Sequence, residues 1–184
     1  MLTALVASGT LRDADLRILD MMQTPHTALL DLGASIVSLA GQAELTGAVA
    51  LGIAVTRLRH GRRDWAAPLA IAGVVLIESL LKVVLPQAPP PHERARSIEL
   101  LPSLHVPFGN SFPSGHVARA AFLLLVLPVP ALAVLLALAI MAATRVYLAD
   151  HWLSDVAGGL LLGAAFAWGA RIVVERRSVR LPAG

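Results

Sequence analysis

Cysteine is absent from the chain, so no disulfide or thiolate metal site can hold it together, and redox chemistry says nothing about its compartment. Lysine occurs once, at Lys82, against fourteen arginines. Aromatic residues are only 4% of the chain, and none interleaves with the arginines, which leaves no stacking platform for a nucleic acid. Charged residues are scarce at 15%, while 57% are hydrophobic and mean hydropathy is +0.72. That balance excludes an ordinary soluble domain. A cleavable signal peptide is not evident either, because Arg12, Asp13, Asp15 and Arg17 break the first apolar stretch.

What the sequence does contain is a series of apolar segments, and at 184 residues they belong to one domain. Over residues 11–22, Leu11, Leu16, Leu19 and Met22 gather near one side with charges on the other, the pattern of an amphipathic helix lying on a membrane surface. Apolar helices are expected over 24–41, 43–58, 65–85, 114–127, 130–148 and 153–173. The first contains Asp31 and is the least apolar of them. The expectation is an all-α integral membrane bundle of about six helices: an interfacial helix within 1–23, the bundle over 24–175, and a cytoplasmic tail over 176–184. Gly158, Gly159, Gly163 and Gly169 on the last helix suit close packing in lipid.

The arginines set a topology. Arg57, Arg59, Arg62 and Arg63 form one cluster, and Arg171, Arg176, Arg177 and Arg180 another. Both are expected to face the cytoplasm, and the intervening helices return the chain to the same side. Lys82, the long connection 86–113, His116, Arg145, His151 and Asp155 then fall together on the opposite, extracytoplasmic face. The span from Ser114 to Leu127 rises only ~21 Å, less than the ~30 Å hydrocarbon core, which places His116 at or just below the interface.

The polar residues at that end have a chemistry. Pro113-Ser114-Gly115 suits a helix start, and the first free N–H groups of such a helix make an anion site. His116 stands in its first turn. His151 and Asp155 are four apart and share a helix face, so the carboxylate can accept one ring N–H and leave the other nitrogen free as a nucleophile. Glu78 is spaced to pair with Lys82. His26, His60, His92 and His105 read as surface or loop histidines.

Pro113-Ser114-Gly115-His116 and Thr144-Arg145-x5-His151-x3-Asp155 resemble the second and third motifs of the type-2 phosphatidic acid phosphatase and haloperoxidase superfamily. Lys82-x6-Pro89-Pro90 resembles its first motif, with Pro89 where the family has arginine. The resemblance implies a catalytic set of His116, His151 and Asp155. His151 is the nucleophile that forms a phosphohistidine, Asp155 orients it, and His116 protonates the leaving oxygen and then activates water. Lys82, Arg145 and the N–H groups of Ser114, Gly115 and His116 would hold the phosphate. Arg119, Arg94 or Arg96 would supply the cation missing at Pro89, with Arg119 first; its competing role is to pair with Asp31 or Glu78 inside the bundle. No metal or other cofactor is required.

The implied function is a multi-pass cell-membrane lipid phosphatase acting on a phosphate monoester or pyrophosphate carried by a lipid, among membrane lipids and with no nucleic-acid partner. An extracytoplasmic site favours a polyprenyl phosphate or pyrophosphate, with phosphatidylglycerophosphate or phosphatidate as alternatives. The haloperoxidase branch is soluble, which the composition opposes. A non-catalytic lipid-binding protein with a degenerate site is the rival from another class.

Overall fold

The computed structural model describes residues 1–101 and 108–180, with burial resolved as far as Arg176; His105 and the end of the tail lie outside the described residues. Among the described residues the chain is all helical. The α-helices are α1 (Leu2–Ala7), α2 (Arg12–Gln23), α3 (Ala28–Leu39), α4 (Ala43–Arg59), α5 (Ile71–Val84), α6 (Gly115–Val126), α7 (Ala131–Tyr147) and α8 (Leu153–Arg180). Local chemistry sets several ends. The Thr27 hydroxyl accepts the Leu30 N–H to cap α3, Pro130 opens α7, and Leu85 turns extended before Pro86 to close α5.

Among the described residues, three stretches are long and apolar enough to cross a membrane: Ala28–Arg59, Ala67–Val84 and Leu153–Arg176. Leucines such as Leu76, Leu80, Leu132, Leu135 and Leu161 are at least half exposed, as expected of side chains that meet lipid tails. α3 has 12 residues, shorter than the expected 24–41 helix, and counts as a span only together with α4. α8 runs to Arg180, so the first residues of the expected tail are helical. α1 has no counterpart among the sequence expectations.

α6 and α8 form the central pair. A side chain at Gly159 would collide with the Ser114 carbonyl, and one at Gly163 with the Ala118 carbonyl, at 2.4 and 2.3 Å. Glycine is therefore required where the two backbones touch, and dispersion across this seam supplies packing that lipid cannot. One buried cluster, with Val117, Met141, Val146, Trp152 and Val156, supports the polar end. A second, with Ala50, Ile71, Val74, Phe122, Leu123 and Ala167, fills the other end. Arg171 reaches the Leu125 carbonyl at that second end, far from the motifs.

α2 has the expected position and period, and its inner stripe is docked on the bundle through Leu19, with Leu16, Ile18 and Met22 beside it. Asp15 and Gln23 are buried on the same stripe. Gln23 donates to the carbonyls of Tyr147 at 2.8 Å and Arg94 at 2.9 Å.

Candidate active site

Lys82 ends α5, His116 begins α6, Arg145 ends α7, and His151 lies in the bend before α8. These four side chains, with Glu78 and Arg119, line one cavity of about 600 Å3. The three motif segments, far apart in sequence, therefore converge as expected. Lys82 is anchored from several sides. Its Nζ is 2.9 Å from Glu78 Oε1 and 5.5 Å from the Phe108 ring centroid, and its carbonyl accepts from Asn110 at 2.8 Å.

Asp155 is completely buried behind His151. Its Oδ2 is 3.2 Å from His151 Nδ1 and accepts the Trp152 N–H at 3.0 Å. This places the N–H on Nδ1 and leaves Nε2, which has no bonding partner among the described residues, as the free ring nitrogen. Burial holds the His151 pKa below the ordinary histidine value. The Asp155 hydrogen bond and charge oppose that shift, while Arg145 and Lys82 add to it. Burial thus favours the neutral ring, the form a nucleophile needs.

Arg145 is held from two directions. Its Nη1 contacts the Ser38 hydroxyl of α3 and lies 3.0 Å from Asp150 Oδ2, an ion pair lacking hydrogen-bond alignment. Its Nε is buried without a partner among the described residues. A buried donor of this kind favours an anion in the adjoining cavity.

The helix start differs from expectation in which donors it offers. Ser114 is the N-cap of α6, but its N–H donates to the Asp155 carbonyl at 2.9 Å. That amide is not available to a phosphate. The Ser114 hydroxyl is fully buried without a partner among the described residues. A side chain at Gly115 would lie 1.9 Å from Glu78 Oε1, so the Glu78 carboxylate covers that residue closely. Ser114 and Gly115 thus lie behind the cavity wall, with His116 on it.

Arg119 donates from Nη1 to Glu78 Oε2 at 2.6 Å and from Nε to the Gly41 carbonyl at 3.1 Å. Gly41 also approaches His116 so closely that a Cβ there would sit 2.7 Å from His116 Cβ. Pro89 is exposed. Arg94 pairs with Asp20 at 2.5 Å, and Arg96 lies 3.9 Å from Asp31, which also accepts from the Tyr147 hydroxyl at 2.5 Å. His26, His60 and His92 are exposed.

Sequence reasoning missed Ser38, Gly41, Gln23 and Asp15. A signal existed for Asp15 and Gln23: with Leu11 and Leu19 they form an i, i+4 series, so two polar residues occupy the apolar stripe.

No curated protein matches the chain. A solved structure described as the first transmembrane PAP2 type phosphatidylglycerolphosphate phosphatase, from Bacillus subtilis, superposes with a TM-score of 0.77 at 21% identity, over 95% of this chain and 91% of that one. The shared property is the fold. The family model described as the PAP2 superfamily matches residues 64–178, a stretch that holds Lys82, His116, Arg145, His151 and Asp155. The chain belongs to the PAP2 superfamily.

Proposed function

We propose that this protein is an integral-membrane lipid phosphatase that removes a phosphate from a monoester or pyrophosphate on a lipid anchor. The observation that carries the reading is His151, paired with Asp155, on the same cavity wall as Lys82, Arg145 and His116. His151 Nε2 attacks phosphorus, a P–N bond forms, and the bond to the leaving oxygen breaks. His116 gives that oxygen its proton, a step worth roughly 10²–10⁴-fold. Water then attacks the phosphohistidine, His116 takes the water proton, and inorganic phosphate leaves with Nε2 restored. Lys82, Arg145 and the His116 N–H balance the phosphoryl charge in lowered dielectric, Ser114 and Gly115 shape the helix start behind them, and no metal is needed. Arg119 is the candidate cation in place of the arginine that Pro89 replaces; its bonds to Glu78 and Gly41 hold it at the cavity wall.

The first substrate class is a polyprenyl phosphate or pyrophosphate, on the ground of an extracytoplasmic site. The second is phosphatidylglycerophosphate, the substrate in the name of the Bacillus subtilis protein that shares the fold. The test is phosphate release by purified protein from a panel of both classes and phosphatidate, in the presence of EDTA. Release by wild type and none by His151→Ala supports the proposal, and the preferred lipid names the substrate. No release from any lipid supports a non-catalytic lipid-binding protein, and release restored by Mg²⁺ contradicts the metal-free scheme.

A further inference from the structure

Asp15 is a carboxylate with 5% exposure on a helix whose pattern alone assigns it only to a membrane surface. Its Oδ1 accepts the Ser154 N–H at 2.9 Å, and its Oδ2 accepts the Ser154 hydroxyl at 2.6 Å. Ser154 is the second residue of α8, where orphan N–H groups need an acceptor. Asp15 therefore caps α8 from another helix, and the favourable helix dipole offsets part of the cost of burying its charge.

The bond network extends further. Gln87 Nε2 donates to the Ser154 hydroxyl at 3.0 Å, and the Gln87 carbonyl accepts the Ser111 N–H at 2.8 Å. Asp15, Ser154, Gln87 and Ser111 thus join α2 to the segments carrying Asp155, Lys82 and His116. Ser154 directly precedes Asp155, whose carbonyl receives the Ser114 N–H and whose carboxylate holds His151. Any shift of the first turn of α8 moves Asp155 against His151.

We propose that Asp15 is a positioning residue for the reaction: it fixes the start of α8 through Ser154, and thereby the Asp155–His151 pair. The proposal rests on the phosphohistidine reading above. Four groups face His151: Asp155 on α8, Arg145 on α7, Lys82 on α5 and His116 on α6. Of these, Asp155 alone raises the His151 pKa, so a loosened pair leaves the ring easier to keep neutral.

Kinetics with an aryl phosphate, and NMR titration of the His151 ring in detergent micelles, are to be measured on wild type, Asp15→Ala, Asp15→Asn, Ser154→Ala and the Asp15→Ala/Ser154→Ala double variant. Asp15→Ala and Ser154→Ala should each lower kcat by roughly 10- to 100-fold with KM little changed. The double variant should lose less than the product of the two single losses, because both single variants break the bond between the Ser154 hydroxyl and Asp15. Asp15→Asn keeps one acceptor for the Ser154 N–H and should fall between. The His151 midpoint should drop in Ser154→Ala, which removes no charge. If Asp15→Ala does not fold, Asp15→Asn and Ser154→Ala decide. Additive losses, or an unmoved midpoint, overturn the proposal. A wild type that turns over no phosphate ester contradicts the phosphatase reading instead, and the midpoint in Ser154→Ala still decides whether Asp15 and Ser154 hold the pair.

Discussion

The Glu78 carboxylate meets the Arg119 guanidinium at 2.6 Å, with both side chains 7% exposed. Glu78 also holds Lys82, so one acid on α5 gathers two cations of the cavity wall. Breaking a buried pair leaves an uncompensated charge. Arg119→Ala should therefore lower the unfolding free energy by about 3 kcal/mol, at the low end for buried pairs because Lys82 still attends Glu78. Thermal unfolding in detergent measures this, and Glu78→Ala/Arg119→Ala should cost less than the sum of the single losses. Arg119→Lys keeps the charge and loses the fork to Gly41; it should lower turnover more than stability.

Gly41 presses on His116. In Gly41→Ala the new Cβ would lie 2.7 Å from His116 Cβ and 2.9 Å from its Cδ2, so the ring must move. Turnover of a lipid phosphate with a poor leaving group should fall at least tenfold, while an aryl phosphate, which needs little protonation, should lose far less. His116→Ala should show the same contrast more strongly. Equal losses on both substrates would remove His116 from the role of acid.

The pH profile follows from the environment of His151. The nucleophile must be neutral, and burial lowers its pKa, so the acid limb of kcat/KM should fall below the ordinary histidine value of 6.5. Asp155 opposes that shift, so Asp155→Asn should move the limb to still lower pH while reducing kcat. An acid limb that moves upward in Asp155→Asn would mean another group governs it.

How much of this was legible in the chain varies with the kind of interaction. Pro113 to His116 and Arg145 to Asp155 are local spacings, and they located the helix starts and the His151–Asp155 pair. The i, i+4 spacing of Glu78 and Lys82 likewise gave their ion pair. Which donors stay available depends on contacts between segments: the Ser114 N–H is taken by the Asp155 carbonyl, 41 residues later, and no spacing rule reports that. Gly41 and Ser38 were silent for the same reason, since what they touch is set by how α3 and α4 pack on α6 and α7. Asp15 was visible as a polar residue on an apolar stripe, but its partner Ser154 was not.

The topology is open to a labelling test in a chain without native cysteine. Glu99→Cys, on the exposed part of the 86–113 connection, should react with an impermeant thiol reagent on intact cells. Arg62→Cys, beyond α4, should react only after the membrane is opened. The reverse pattern would put the cavity on the cytoplasmic side and remove the ground for preferring a polyprenyl carrier.

The most direct test of the central claim is to find the phosphate on the enzyme. Rapid quenching during turnover, followed by mass spectrometry, should show a single phosphorylated residue, His151, with His151→Ala unlabelled and His116→Ala accumulating the adduct from an aryl phosphate. Phosphate on any other residue, or full turnover by His151→Ala, would contradict the account.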